Sequence, residues 1–396
     1  MNSNINIDNS INKERLAIIV VGYNRLESLK RLVDSLDSAI YDVSAPLVFC
    51  IDASNNQELY SFVNNYSWRH GDKYVFIQTE RQGLRKHIYF CGDLSRYFKG
   101  VLILEDDLMV SKSYYRYAFA ALNKYEEEER VAGIALYADS ANGYSNMLPI
   151  YRYNDGSDGY MLQEVCTSGE CFSDKMWSAF RSWLNDNENV DLEHYDMPDQ
   201  IRHWTHAWSK YYNTYIVAKD LFFVTPYTSL ATNMGEAGVH SKTNLNFLHT
   251  SIIWGEKKEF VFYPFDETVK YDIFGNLLGL GKYLNINEDD LCVDLYGNKS
   301  YKNKKYLLSL YKLPYKLVKS FGLVLEPIEA NVIWNIHGED IYLYDISEAR
   351  VDYKKKTISL SVLTYYLRGL TSHLAFRYSF EILKNKIINR IKKIAK

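Results

Sequence analysis

The sequence of 396 residues has little in it that would staple, export or embed the chain. Its five cysteines, Cys50, Cys91, Cys166, Cys171 and Cys292, are odd in number and form no tight pairs. Cys166 and Cys171 lack the second pair that a zinc site needs, so reduced thiols in a cytosol are expected. The opening stretch MNSNINIDNSINKER has no apolar signal core. No apolar run approaches the ~18 residues of a membrane span. The expectation is a cytoplasmic chain that is neither exported by a classical signal nor integral to a membrane. A surplus of one charge is also missing: 46 Lys and Arg face 49 Asp and Glu, a formal net charge of -3. Such a balance gives no electrostatic footprint for nucleic acid. Three motifs are absent as well. Gly22 is not followed by the GxGxxG of a dinucleotide site. GNLLGLGK, Gly275 to Lys282, has the wrong spacing for a phosphate loop, and Tyr283 stands where Ser or Thr is required. His203 and His206 occur without HExxH, which argues against zinc.

Aromatics, in contrast, reach 15%, with 35 Tyr. Rings with a polar tip stack well on sugars, and base-composition bias in the gene produces the same count. The first half alternates two kinds of segment. Leu16 to Val21, Pro46 to Ile51, Tyr74 to Ile77, Val101 to Leu104 and Val131 to Leu136 are apolar runs of strand length. Between them, Arg25 to Leu36, Asn56 to Asn65, Leu84 to Phe98 and Ser113 to Glu128 have helical spacing. This alternation predicts an α/β fold with a mainly parallel, doubly wound sheet. Ligands of such sheets lie beyond the carboxyl ends of the strands. The rule selects Gly22 to Arg25, Asp52, Thr79 to Gly83, and Glu105 to Asp107. Further on, the spacing predicts a helix from Asp196 to Tyr212, with Asp196 as its cap and Pro198 in its first turn.

Glu105-Asp106-Asp107 follows VLIL directly. Three carboxylates at the end of a buried strand repel one another unless a cation joins them. Hard oxygen donors suit Mg2+ or Mn2+, and nucleotide-sugar chemistry uses such an ion to neutralise a departing diphosphate. Surface turns and helix starts carry similar triplets; the preceding strand is what favours a site here.

Over about the first 250 residues, several short motifs in order resemble the GT-A fold transferases of the N-acetylglucosaminyltransferase I type (glycosyltransferase family 13) and related bacterial polysaccharide enzymes. The matching stretches are Val21 to Arg25, Ile51-Asp52, Leu84 to Tyr89, Glu105 to Asp107, Tyr137 to Gly143 and Pro226 to Ser241. The resemblance implies an inverting transferase with a UDP-sugar donor, N-acetylglucosamine being favoured, and Mn2+ or Mg2+ as cofactor. It implies that Arg25, Asp52 and His87 cradle uracil, that Glu105 and Asp106 face ribose and donor sugar, and that Asp107 holds the metal. It further implies that Gly238, Val239 and Ser241 belong to a loop ordering over the diphosphate, with His240 beside metal or phosphate. The family's catalytic Asp, next to a Trp, has no counterpart in Trp204-Thr205-His206-Ala207-Trp208. Asp199, then His206, then Glu170 are the candidates for the base that takes the acceptor proton.

No such match extends past about residue 270. The expected organisation is a disordered tail over 1–15, a transferase domain over 16–269, and an accessory α+β region over 270–396. Within the last, Ile382 to Lys396 contains Lys384, Lys386, Arg390, Lys392, Lys393 and Lys396 without an acid. Ile387, Ile391 and Ile394 lie at helical spacing, which fits a basic amphipathic helix on the inner face of a membrane or a solvated terminal helix equally well. The expected partners are a UDP-sugar and an oligosaccharide or lipid-linked glycan acceptor. Two other classes stay open: a non-catalytic glycan-binding protein on a degenerate fold, and a sugar nucleotidyltransferase.

Overall fold

Strand β1, Leu16–Gly22, is buried along its whole length, as are β2, Leu47–Ile51, and all but the last residue of β4, Gly100–Glu105. Uninterrupted apolar runs of this kind arise where a parallel sheet is covered on both faces. In the computed structural model, which describes residues 13–145, 147–187, 190–205, 207–236, 248–349 and 360–394, these strands lie side by side toward one edge of a nine-stranded sheet. Of the expected tail over 1–15, all but three residues lie outside the described part.

β1 pairs in parallel with both β2 and β4, and β3, Lys73–Ile77, continues the block beyond β2. Helices α1, Leu26–Asp37, α2, Gln57–Asn65, and α3, Leu84–Asp93, connect or follow these strands. α2 starts at Asn56, whose side chain accepts from the Leu59 N–H at 3.0 Å. The helix predicted to reach Phe98 ends at Asp93 and tightens into a 3-10 turn over Leu94–Tyr97. β5, Leu108–Val110, leaves β4 through the acidic triplet and leads into α4, Tyr114–Tyr125. β6, Val131–Ala135, precedes a small ladder of β7, Ala141–Asn142, and β8, Leu148–Pro149.

The other half of the sheet is mixed. β10, Glu170–Ser173, runs antiparallel between β4 and β6. β11, Phe222–Pro226, is parallel to β6 and antiparallel to β9, Gly159–Leu162. β13, Lys270–Tyr271, closes the edge beside β9. β12, Ala231–Asn233, pairs with β5 away from the main sheet. The doubly wound α/β architecture is therefore present, with a parallel block on one side and a mixed half on the other.

The helix predicted over Asp196 to Tyr212 is two helices, Asp199–His203 (α6) and Trp208–Lys219 (α7), after α5 at Asp174–Asp186. Trp204 and Ala207 have extended backbone, which interrupts the run, and Pro198 rather than Asp196 precedes the first turn. Much of the tyrosine content is core: Tyr114, Tyr115, Tyr117, Tyr125 and Tyr212 are buried.

The chain divides into two compact units, one of residues 1–280 with 298–300, the other of 281–297 with 301–396. The division falls after β13, because that strand is hydrogen-bonded to β9. In the second unit, strands Leu291–Asp294, Tyr306–Ser309, Ile341–Asp345 and Lys316–Phe321 form a four-stranded sheet in that order. Its terminal helix spans Ser372–Ile394 and starts before the basic segment at Ile382. Among the described residues no helix is long and apolar enough to cross a membrane.

Candidate functional site

Four strand ends of the parallel block meet at a cavity of about 220 Å³. Gly22 to Arg25 enter it after β1, Asp52 after β2, Arg81 and Gly83 before α3, and Glu105 to Asp107 after β4. The strand-end rule thus brings together residues from all four stretches it selected.

The electrostatic centre is Arg25. Its Nε lies 3.3 Å from Asp106 Oδ2, its Nη2 bonds Asp106 Oδ1, and its Nη1 is 3.2 Å from Asp107 Oδ2. Burial opposes the Arg25 charge, but the bonds and charge of Asp106, then of Asp107, outweigh it and raise the pKa. Asp106 is pushed up to about 6 by burial, against the hydrogen bond and charge of Arg25 and with the Asp107 charge adding. The guanidinium expected beside a base thus bonds two carboxylates of the triplet on the wall of the same cavity. Asn233 Nδ2 approaches Asp107 Oδ1 at 3.4 Å, and the Met234 N–H donates to the Asp107 carbonyl at 2.9 Å. Glu236 ties this passing segment to α1 through Arg31, at 2.9 and 2.7 Å, and through Ser28 Oγ at 2.5 Å. Gly238, Val239, His240 and Ser241 lie outside the described residues, so no position is given for them.

Asp52 is buried, and three backbone N–H groups converge on it. Oδ1 accepts from Ala53 at 2.9 Å and Gln82 at 2.8 Å, and Oδ2 accepts from Gly83 at 3.0 Å. The carboxylate thus latches the end of β2 to the start of α3. Gly83 has φ +74°, a conformation a side chain rarely adopts, and its carbonyl accepts from the His87 N–H at 3.0 Å. His87 is buried, and burial lowers its pKa against the Cys50 carbonyl and the Asp52 charge. In this neutral ring Nε2 bonds the Cys50 carbonyl at 3.0 Å and so carries the hydrogen. Nδ1 is then a buried acceptor without a partner among the described residues, on a side chain that borders the cavity. At the mouth, Arg81 lies over the Tyr23 ring at 4.6 Å. Neither was singled out from the sequence, although both fall within stretches that the strand-end rule selected.

Glu105 is pushed up to about 8 by burial, then by the charges of Asp107 and Asp106, with Arg25 opposing. The folded state then holds the proton more tightly than an unfolded chain with the ordinary value of 4.5. Its contribution to stability is complete below that ordinary value and is lost as pH rises through about 8. We predict that Glu105→Gln flattens the fall in urea-unfolding free energy between about pH 5 and 8; an unchanged slope would place the titration elsewhere.

The base candidates are scattered. Glu170 sits inside the sheet on β10, 1% exposed, and borders neither this cavity nor the one beside the mixed half of the sheet. Burial, then Glu105, raises its pKa well above the ordinary carboxylate range, and Oε1 has no hydrogen-bond partner among the described residues. Asp199 has a side chain 75% exposed, pairs with Arg202 at 3.4 Å, and lines neither cavity. Its position is that of a charge at a helix start. His206 lies outside the described residues.

Among the described residues no group of three or more His, Cys, Asp or Glu is arranged to hold a metal ion. The donor chemistry nevertheless fits the sparse type of Mg2+ or Mn2+ site, in which one or two carboxylates share the ion with substrate phosphates. Asp107, with its hard oxygen donors on the cavity wall, is the residue that meets this description.

No family model and no curated protein matches the chain. Among solved structures it is similar to S. aureus TarS 1-349 in complex with UDP-GlcNAc, at 13% identity and a TM-score of 0.37, over 57% of this chain and 60% of that one. It is also similar to the mannosyltransferase PcManGT from Pyrobaculum calidifontis in complex with GDP-Man and Mn2+, at 11% identity and a TM-score of 0.33, over 56% of this chain and 57% of that one. The match thus spans about three-fifths of the length of each of these two structures. Likeness at this level assigns neither ligand nor reaction.

Proposed function

We propose that the chain is a GT-A type, inverting glycosyltransferase whose donor, a UDP-sugar, binds in the cavity at the carboxyl ends of β1 to β4. The observation that carries this reading is the neutral, buried His87, with an unpartnered Nδ1, which borders the same cavity as the Glu105 to Asp107 triplet. An acceptor atom held in place by the Nε2 bond to Cys50 suits a ligand N–H, and the imide N–H of uracil supplies one. Asp52 acts in this reading by fixing the backbone from which His87 projects. Tyr23 and Arg81 offer an aromatic face and a charge to base or phosphate. Asp106 keeps Arg25 at the triplet, and Asp107 faces the diphosphate. A divalent ion bound at Asp107 supplies charge neutralisation for the departing diphosphate. N-acetylglucosamine is the donor sugar we favour, and the acceptor is a glycan.

Incubation of the full chain with a panel of UDP-hexoses and UDP-N-acetylhexosamines plus Mn2+, followed by detection of free UDP, tests the reading. Release from at least one donor, tenfold or more above a heat-killed control, is expected. Binding of UDP with no release from any donor, with water or with sugar acceptors present, would favour a non-catalytic binding protein.

A further inference from the structure

A second cavity, of about 420 Å³, lies on the mixed half of the sheet and shares Leu248 as a wall with the first. The shared wall is held by Tyr137, whose hydroxyl donates to the Leu248 carbonyl at 3.1 Å. Its size is that of a small-molecule site. Tyr137, Tyr144 and Trp204 present rings to it, and Asp139, Glu164 and Arg152 present charged or ionisable groups. Two carboxyl groups with a single Arg beside them are a poor match for phosphate, which needs a surplus of donors. Aromatic faces beside hydrogen-bonding groups suit a neutral, hydroxylated ring.

The two carboxyl groups are held differently. Glu164 accepts a hydrogen bond from the Tyr144 hydroxyl. Asp139 follows β6, has its side chain open to solvent, and accepts no hydrogen bond among the described residues. Burial, then the Asp139 charge, pushes Glu164 up to about 8, against the Tyr144 hydrogen bond and Arg152. A pair whose environments separate the two carboxyls in this way leaves one ionised and one protonated near neutral pH, the pattern that assigns acid and base roles.

Resting on the donor reading above, we propose that this cavity is the acceptor site, that it takes a neutral sugar or polyol unit, and that Asp139 is the carboxylate receiving the proton of its attacking hydroxyl. The acceptor oxygen forms a bond to the anomeric carbon as the bond from that carbon to the diphosphate oxygen breaks. The electron pair leaves with the diphosphate, and the hydroxyl proton goes to Asp139. Glu164, held by Tyr144, positions the acceptor, and Trp204 supplies a stacking face.

The test compares the full wild-type chain with Asp139→Asn and Trp204→Ala by two readouts: UDP binding by calorimetry, and UDP release from UDP-N-acetylglucosamine or the best donor of the panel. Acceptors are water and a set of p-nitrophenyl glycosides. The expected result is UDP affinity within twofold of wild type for both variants. Release falls at least 100-fold in Asp139→Asn without a change in acceptor KM, and Trp204→Ala raises acceptor KM about tenfold while kcat changes little. Release by Asp139→Asn within threefold of wild type would overturn the assignment. So would a wild-type chain that binds UDP and releases none. Failure of the wild type to bind UDP would instead remove the donor reading on which this one rests.

Discussion

Arg25→Ala is expected to destabilise the first unit by about 3 kcal/mol at pH 7.5, because it breaks a largely buried ion pair and leaves its anions behind. Arg25 contacts two of the three carboxyl groups of the triplet, and Asp106 is 4% exposed. The loss corresponds to a fall of roughly 5 °C in Tm for a unit of this size. Two details separate this cause from a loss of packing. Asp106 is already pushed up to about 6 by burial, against the pull of Arg25, and protonates more readily once the guanidinium is gone. The penalty should therefore shrink as pH falls from 7.5 to below about 6, because the unpaired Asp106 takes up its proton above that value. Mn2+ should restore part of the lost Tm in the variant, because a divalent ion supplies the missing positive charge. Thermal unfolding at two pH values, with and without Mn2+, measures both effects. A penalty that is equal at both pH values and insensitive to Mn2+ would mean that Arg25 stabilises by its hydrocarbon packing.

Asp52→Ala is expected to act on both stability and donor affinity. The three N–H groups that converge on the carboxylate belong to Ala53, Gln82 and Gly83, and the last two precede the helix that carries His87. Hydrogen bonds to a charged acceptor contribute about 1.5–3 kcal/mol each, but water reaches part of this loop and the bonds are not additive. A net loss of about 3 kcal/mol follows, together with a tenfold or larger fall in UDP affinity as His87 loses its fixed position. Asp52→Asn is the sharper probe. Its single oxygen can serve Ala53 and Gln82, but its NH2 then faces the Gly83 N–H, donor against donor. We expect it to lose about 2 kcal/mol, closer to Ala than to wild type. Urea unfolding and UDP titration of both variants measure the two effects. An Asn variant that matches wild type in both would show that the Gly83 bond carries no weight.

The parallel block was legible because its strands are covered on both faces, so LAIIVV, LVFCI and VLIL spell themselves as unbroken apolar runs. The place of the cavity followed from those strands, since topology puts their carboxyl ends together. Of the mixed half, β6 was legible as the apolar run Val131 to Leu136, and the antiparallel strands were not. β10 reads ECFS, with Glu170 turned into the sheet beside Glu105, a burial that no local pattern announces. The break at Trp204 to Ala207 was hidden because aromatic spacing continues across it while the backbone becomes extended. Arg25 was assigned to a base by position in a motif; its actual partners, Asp106 and Asp107, lie on another strand end. Asp139 and Glu164 share a cavity through the fold of the mixed half, and nothing in their spacing marks them as a pair.

Calorimetric titration of the full chain with UDP, with and without Mn2+, on wild type and Asp107→Ala, tests the donor pocket most directly. The expected result is UDP binding that Mn2+ strengthens at least tenfold and that Asp107→Ala reduces to the metal-free level. No UDP binding by the wild type under either metal condition, or equal Mn2+-dependent binding by wild type and Asp107→Ala, would contradict the donor site placed at the end of β4.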